Sequence, residues 1–262
     1  MQNDILIYFN VFAKIYTFFK IGCNPTRFMK ANKHLLQILT VIIIIVNLAV
    51  MIYYGTSINR WLRFANMCIF LLLFITPYYY NKKGLLVMCL FLICDALLIN
   101  YESDILNGFV FIIRGSCFLL LAGMVSQRVR KLKTNLFQKI IFTLAIALNA
   151  FLLYSLIEMV PSARYYSFFD FLFYLYGMAV IICATIAVSY SNRYANKNSL
   201  FFLMAILGLV FSDLTYFIGF YLKFYEFYLA DIVFDILGIS LIIQFFLLEK
   251  STGEISDPEL ME

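Results

Sequence analysis

Charge is scarce in this chain. Asp, Glu, Lys and Arg make up 13% of its 262 residues, against roughly 25% in an ordinary soluble domain. That shortage excludes a sizeable soluble domain. Histidine occurs once, as His34, and zinc chemistry usually recruits several His or Cys ligands, so no metal and no cofactor are expected. The six cysteines (Cys23, Cys68, Cys89, Cys94, Cys117, Cys183) show no CxxC or other ligand spacing. Five of them lie in apolar runs, where a thiol behaves as a small hydrophobe, and this argues against a disulfide framework. A Gly-rich phosphate loop, a coiled-coil heptad and a small-residue cleavage site after the first apolar stretch are all missing. Basic residues fall in short loops, as topology signals do, and not on a surface for nucleic acid.

What the chain has in abundance is apolar length. Hydrophobic residues make up 64% and the mean hydropathy is +0.90, against roughly 45–50% apolar residues in soluble proteins. A membrane span needs about 20 mainly apolar residues, and eight stretches qualify: 34–54, 61–80, 84–101, 104–125, 136–158, 166–190, 199–222 and 226–249. Gly55, Asn81 to Gly84, Pro161 and Asn196 mark connections between them. The fold class expected is all-α, a polytopic membrane helix bundle. Residues 34–250 form the membrane domain. Residues 1–33 form an amphipathic segment and basic linker, in which Asn3, Asn10, Lys14 and Thr17 share one face of an interfacial helix. Residues 251–262 read as a disordered acidic tail.

Of the 20 Lys and Arg, fifteen fall on the side of the termini, and Arg60, Arg63, Arg164 and Lys223 fall on the other. The positive-inside rule then places both termini in the cytoplasm. A bacterial inner membrane is the expected location.

An ionisable group inside a span is expensive and marks a functional site by default. Asp95 lies in Leu90–Ile99, Arg114 near the centre of the next span, Asp213 in Gly208–Tyr216, and Asp231 and Asp235 one helical turn apart in the last span. With this topology they fall in one leaflet. Asp95 and Asp213 are the expected functional pair, with Arg114, Asp235, Ser212 and Tyr216 in support. Arg114 is expected to neutralise Asp95 or a span-eight aspartate. Asp231 is expected near the interface and solvated, and Asp170 as a helix N-terminal acid. Asn47, Asn66 and Asn149 are expected to hydrogen-bond between helices. Paired carboxylates support a division of labour in which one acid donates a proton and the other activates water, as in glycoside hydrolysis through an oxocarbenium-like transition state.

These residues carry a family resemblance. Cys94-Asp95-Ala-Leu-Leu98, Gly108-Phe-Val-Phe111, Gly208-Leu-Val-Phe-Ser212-Asp213 and Tyr176-Gly-Met178-Ala179 resemble segments of the lysoplasmalogenase-like (YhhN) membrane proteins over about residues 34–249. The chain looks like a divergent member: Cys94 stands where that family has Gly, and Arg63-Phe64-Ala65 where it has Lys-Pro. Gly115, beside Arg114, falls where it has His. The resemblance implies hydrolysis of the vinyl ether bond of a lysoplasmalogen, with a membrane lysophospholipid as substrate and Asp95 and Asp213 as catalytic acids. Two other classes fit the same spans: a proton-coupled transporter, and a non-enzymatic sensing or interaction module that passes a signal to a separate protein.

Overall fold

A computed structural model describes residues 25–75, 82–101, 103–129, 136–160 and 168–251. These residues form seven helices: α1 (Pro25–Phe74), α2 (Lys82–Leu98), α3 (Asp104–Val129), α4 (Leu136–Glu158), α5 (Phe169–Tyr194), α6 (Lys197–Tyr221) and α7 (Phe227–Ser251). There is no strand among the described residues. Five helical stretches, His34–Phe74, Ile105–Val129, Phe169–Tyr194, Lys197–Tyr221 and Phe227–Leu248, are long and apolar enough to cross a membrane. The chain is a multi-pass membrane protein. The amphipathic stretch expected within 1–24, and the acidic tail beyond Ser251, lie outside the described residues. The chain divides into two units, 1–38 and 39–262. Helix α1 (Pro25–Phe74) begins in the first unit, and the packing and polar side chains described below lie in the second.

Helix α1 is not one straight rod. Gly55 breaks it with φ 77° and ψ −169°, a region of backbone space essentially reserved for glycine. The Nδ2 of Asn66 donates to Oδ1 of Asn47 at 2.9 Å, whereas 19 residues of unbroken helix would hold them about 28 Å apart. The two arms therefore fold back on each other at Gly55, where the sequence places a connection. Thr40 on the first arm hydrogen-bonds Ser240 of α7 at 2.8 Å.

The remaining packing is helix on helix, α6 with α7, α3 with α5, α2 with α3, α5 with α6 and α4 with α5. Small residues set the α6–α7 approach, as they do in membrane bundles. A Cβ on Gly208 would lie 3.3 Å from the Phe234 carbonyl oxygen, and one on Gly238 would lie 2.8 Å from Leu209 Cδ2 and 3.2 Å from its backbone nitrogen. Helix α6 starts from a capping box in which Asn196 and Ser199 satisfy each other's backbone N–H groups, as the connection at Asn196 requires. An aromatic cluster including Phe111, Phe169, Phe173, Phe217 and Tyr221 packs beside the site in edge-to-face and tilted ring pairs. Around the bundle, Ile45, Ile52, Phe151 and Phe171 are exposed apolar residues, the surface a bilayer covers.

Candidate functional site

The glycine contact between α6 and α7 brings polar side chains within reach of one another. Ser212 lies one turn beyond Gly208, and Asp235 and Asp231 lie one and two turns before Gly238. Ser212 Oγ donates to Oδ1 of Asp231 at 2.6 Å and approaches Oδ1 of Asp235 at 3.5 Å. Asp231 is 2% exposed, so the interfacial, solvated position expected of it is wrong. It is held inside by a hydroxyl and a guanidinium.

That guanidinium belongs to Arg63. Its Nε reaches Oδ1 of Asp95 at 3.1 Å, its Nη1 reaches both oxygens of Asp231 at 3.0 and 3.2 Å, and its Nη2 reaches Oδ1 of Asp235 at 2.6 Å. The planar fork of arginine suits this work, because its nitrogens diverge in fixed directions. Arg63 and Arg60 are thus not the exposed positive charges of an outer loop that the charge count takes them for. Arg60 is 8% exposed and lies 6.0 Å from the centre of the Phe220 ring.

Arg114 forms the second node. Its Nη2 donates to Oδ1 of Asp235 at 3.1 Å, and its Nε lies 2.5 Å from Oδ1 of Asp213 as an ion pair. The N–H is poorly aligned on that oxygen, and Nε has no hydrogen-bond partner by geometry. The short distance makes this a charge contact regardless. Tyr176 donates its hydroxyl proton to the other oxygen of Asp213. The face of Phe91 lies 5.5 Å from the Arg114 guanidinium.

The network runs Asp95–Arg63–Asp235–Arg114–Asp213, with Asp231 on Arg63 and Tyr176 on Asp213. Each acid placed in one leaflet by the sequence belongs to it, and Asp235 is shared by both arginines. Arg114 neutralises Asp213 and Asp235, while Asp95 is taken by Arg63. Asp95 and Asp213 occupy opposite ends and do not touch. Tyr216 stands beside the network with its ring centre 6.0 Å from the Arg63 guanidinium, and its hydroxyl has no hydrogen-bond partner among the described residues. Asn66 and Asn47 make the interhelical bond expected of them. Asn149 is exposed on α4, and Asp170 is exposed in the first turn of α5.

Two cavities flank this network. The larger, about 190 Å³, is walled by α3, α4, α5 and α6, with Asp213, Arg114, Tyr176, Arg63 and Tyr216 at its polar part. Its other walls are mainly apolar, with Asn149, Tyr101 and Tyr221 as the exceptions. Along α6 its lining extends from Val210 to Tyr221, about 16 Å of helix. Its α4 wall includes Leu152, which is 50% exposed on the bundle surface, so only one layer of side chains separates the cavity from lipid there. The smaller cavity, about 20 Å³, lies on the far side of Arg63, with Asp95, Asp235, Asn47, Asn59 and Asn66 in its wall. Asp213 faces the large cavity and Asp95 the small one.

Sequence reasoning missed Arg63 and Asn59 as site residues. A signal for both exists: Asn59, Arg63 and Asn66 recur at spacings of four and three, a polar stripe on one helical face. Tyr176 had no independent signal beyond its motif. Among the described residues, no group of three or more His, Cys, Asp or Glu is arranged to hold a metal ion.

Fold and site together define a multi-pass α-helical membrane protein with an ionic network between a largely apolar cavity and a small one whose wall mixes Asn and Asp side chains with Met67, Phe70, Ile232, Ile236 and Ile239. No family model, curated protein or solved structure matches the chain.

Proposed function

We propose that this protein is an intramembrane lipid hydrolase that cleaves the ether-type bond the lysoplasmalogenase resemblance implies, with Asp213 in place of the expected Asp95–Asp213 pair as the catalytic acid. The observation that carries the reading is the apolar cavity whose polar part holds Asp213 with the Tyr176 hydroxyl and the Arg114 guanidinium. A lipid chain lies along the apolar walls, which places its first polar bond against Asp213. In its acid form Asp213 adds a proton to the vinyl carbon remote from the ether oxygen. The resulting carboxylate stabilises the oxocarbenium ion and takes a proton from the attacking water. The hemiacetal then collapses to a fatty aldehyde and the free alcohol of the glycerophospho-base. Asp95, on the opposite side of Arg63, acts as a positioning residue that holds this guanidinium in place.

In the same reading the chain sits in a bacterial cytoplasmic membrane as eight spans, the two arms of α1 counting as two, with both termini inside. Burial of Arg60 and Arg63 leaves only Arg164 and Lys223 as positive charges on the outer side, which strengthens the positive-inside asymmetry.

The test is aldehyde release from lysoplasmenyl-ethanolamine by the purified protein. Asp213→Asn is expected to lower the rate at least about 100-fold, the scale of losing a positioned acid or base, and Asp95→Asn to lower it less. An inactive wild type, or Asp213→Asn at the wild-type rate, refutes the reading. A second reading, a proton- or cation-coupled carrier, is favoured by one observation: the charged network separates two cavities, as a gate would. Gradient-dependent uptake in liposomes, with no aldehyde formed, selects it.

A further inference from the structure

The small cavity behind Arg63 takes no substrate in the proposed hydrolysis, although it shares Asp95 and Arg63 with it, and its wall has an unusual composition. Every hydrogen bond that reaches Asp95 or Asp235 among the described residues ends on Oδ1, so the Oδ2 atom of each accepts none. Asn59 is 7% exposed, and its Oδ1 is buried without a partner. Such an orphaned acceptor costs about 1–3 kcal/mol if nothing meets it. The donors nearby are spent: Asn66 Nδ2 on Asn47, Asn47 Nδ2 on the Ile43 carbonyl, and the Arg63 nitrogens on three carboxylates. Asn59 Oδ1, Asp95 Oδ2 and Asp235 Oδ2 are thus acceptors in this wall that no hydrogen bond meets.

Charge points the same way. The network holds two guanidinium ions, Arg63 and Arg114, against four carboxylates, Asp95, Asp213, Asp231 and Asp235. With all four ionised the formal excess is two negative charges, and with Asp213 in the acid form of the proposed hydrolysis it is one. Uncompensated buried charge is among the costliest features a fold can carry. What fits unmet acceptors beside excess negative charge is a small positive species that takes oxygen ligands.

We propose that this chamber is a binding site for one hard monovalent cation of sodium size, liganded by Asn59 Oδ1, Asp95 Oδ2 and Asp235 Oδ2. The volume of about 20 Å³ holds one water-sized species. A divalent ion would overshoot the single excess charge left when Asp213 is in its acid form, and magnesium keeps several of its waters, for which the chamber has no space. Arg63 faces the same chamber, but each of its polar nitrogens is covered by a carboxylate, and the outer oxygens of two of these, Asp95 and Asp235, are what the cation meets.

The test uses the full chain in nanodiscs. The midpoint of thermal unfolding is expected to rise saturably with sodium chloride and to stay flat in choline chloride at equal ionic strength. Wild type is also expected to bind radioactive sodium at about one ion per chain. Asn59→Ala, and the milder Asn59→Ser, are expected to lose the sodium-specific rise and to weaken sodium binding. Equal midpoints in the two salts, as a chamber holding only water gives, overturn the proposal. So does an unchanged sodium effect in either variant, and so does a wild type with no saturable sodium binding. Neither measurement involves lipid turnover, so failure of the hydrolase reading leaves this one standing, and the reverse.

Discussion

Replacing Arg63 with Met tests the network most severely. The side chain is close in volume, so packing is largely kept while the charge and its fork are lost. Asp95 and Asp231 then have no cationic partner, and Asp235 keeps only Arg114. Removing one partner of a buried pair costs about 3–5 kcal/mol, and three carboxylates share this partner, so the loss belongs at or above the upper end of that range. Adding Asp95→Asn and then Asp231→Asn to Arg63→Met removes the orphaned charges one at a time. Each addition is expected to recover about 1–2 kcal/mol, the scale of relieving one poorly satisfied buried group. Chemical or thermal unfolding in one detergent or bicelle system measures all four proteins. Arg63→Met within about 1 kcal/mol of wild type refutes the electrostatic reasoning. A further loss on each added Asn refutes it too, because stability lost through packing alone is not restored by neutralising acids.

Three further outcomes follow from the same geometry. Gly238→Ala drives a Cβ against Leu209, including its backbone nitrogen, and is expected to destabilise by about 1–3 kcal/mol in the same unfolding assay; wild-type stability there means that α6 and α7 can part at no cost. Gly55→Ala meets no atom within 4 Å but must hold φ 77° with ψ −169°, so its cost of about 1–3 kcal/mol is backbone strain alone, and Gly55→Asn, whose tolerance of positive φ is confined to ψ near about +47°, is expected to lose as much. Leu153→Trp fills the large cavity from α4, and its purified form is expected to carry less co-purifying lipid by mass spectrometry than wild type; equal lipid content shows that lipid does not occupy that space.

The sequence is informative about the individual helices and weaker about how they meet. Apolar length and the break at Gly55 locate the helices well because each depends on a few adjacent residues. Asp95, Arg114, Asp213 and Asp235 stand out for the same reason, since a charge in an apolar run is visible locally. What the sequence hides is partnership. Arg63 sits near the start of its span, where a charge usually reaches the interface by extending its side chain, and only the fold shows that it turns inward. Asp231 and Asp235 share one helix face, yet Asp231 looks like an interfacial acid until Arg63 and Ser212 are placed beside it. The expectation that Arg114 pairs with Asp95 or the last span is met at Asp235, but nothing in the spacing tells that Asp95 selects Arg63 and Asp213 selects Arg114.

The reach of Arg63 along the chain has a consequence for biosynthesis. Its three carboxylates lie 32, 168 and 172 residues downstream. At about 5–20 residues per second, a ribosome needs roughly 8–34 s after making Arg63 to deliver Asp231. During that interval the second arm of α1 has at most Asp95 to neutralise its charge, and the last helix completes the neutralisation. Assembly of this protein is therefore gated at its C-terminal end. A chain truncated before α7 presents the membrane quality-control machinery with an arginine in lipid, and rapid degradation of such truncations is the expected mark.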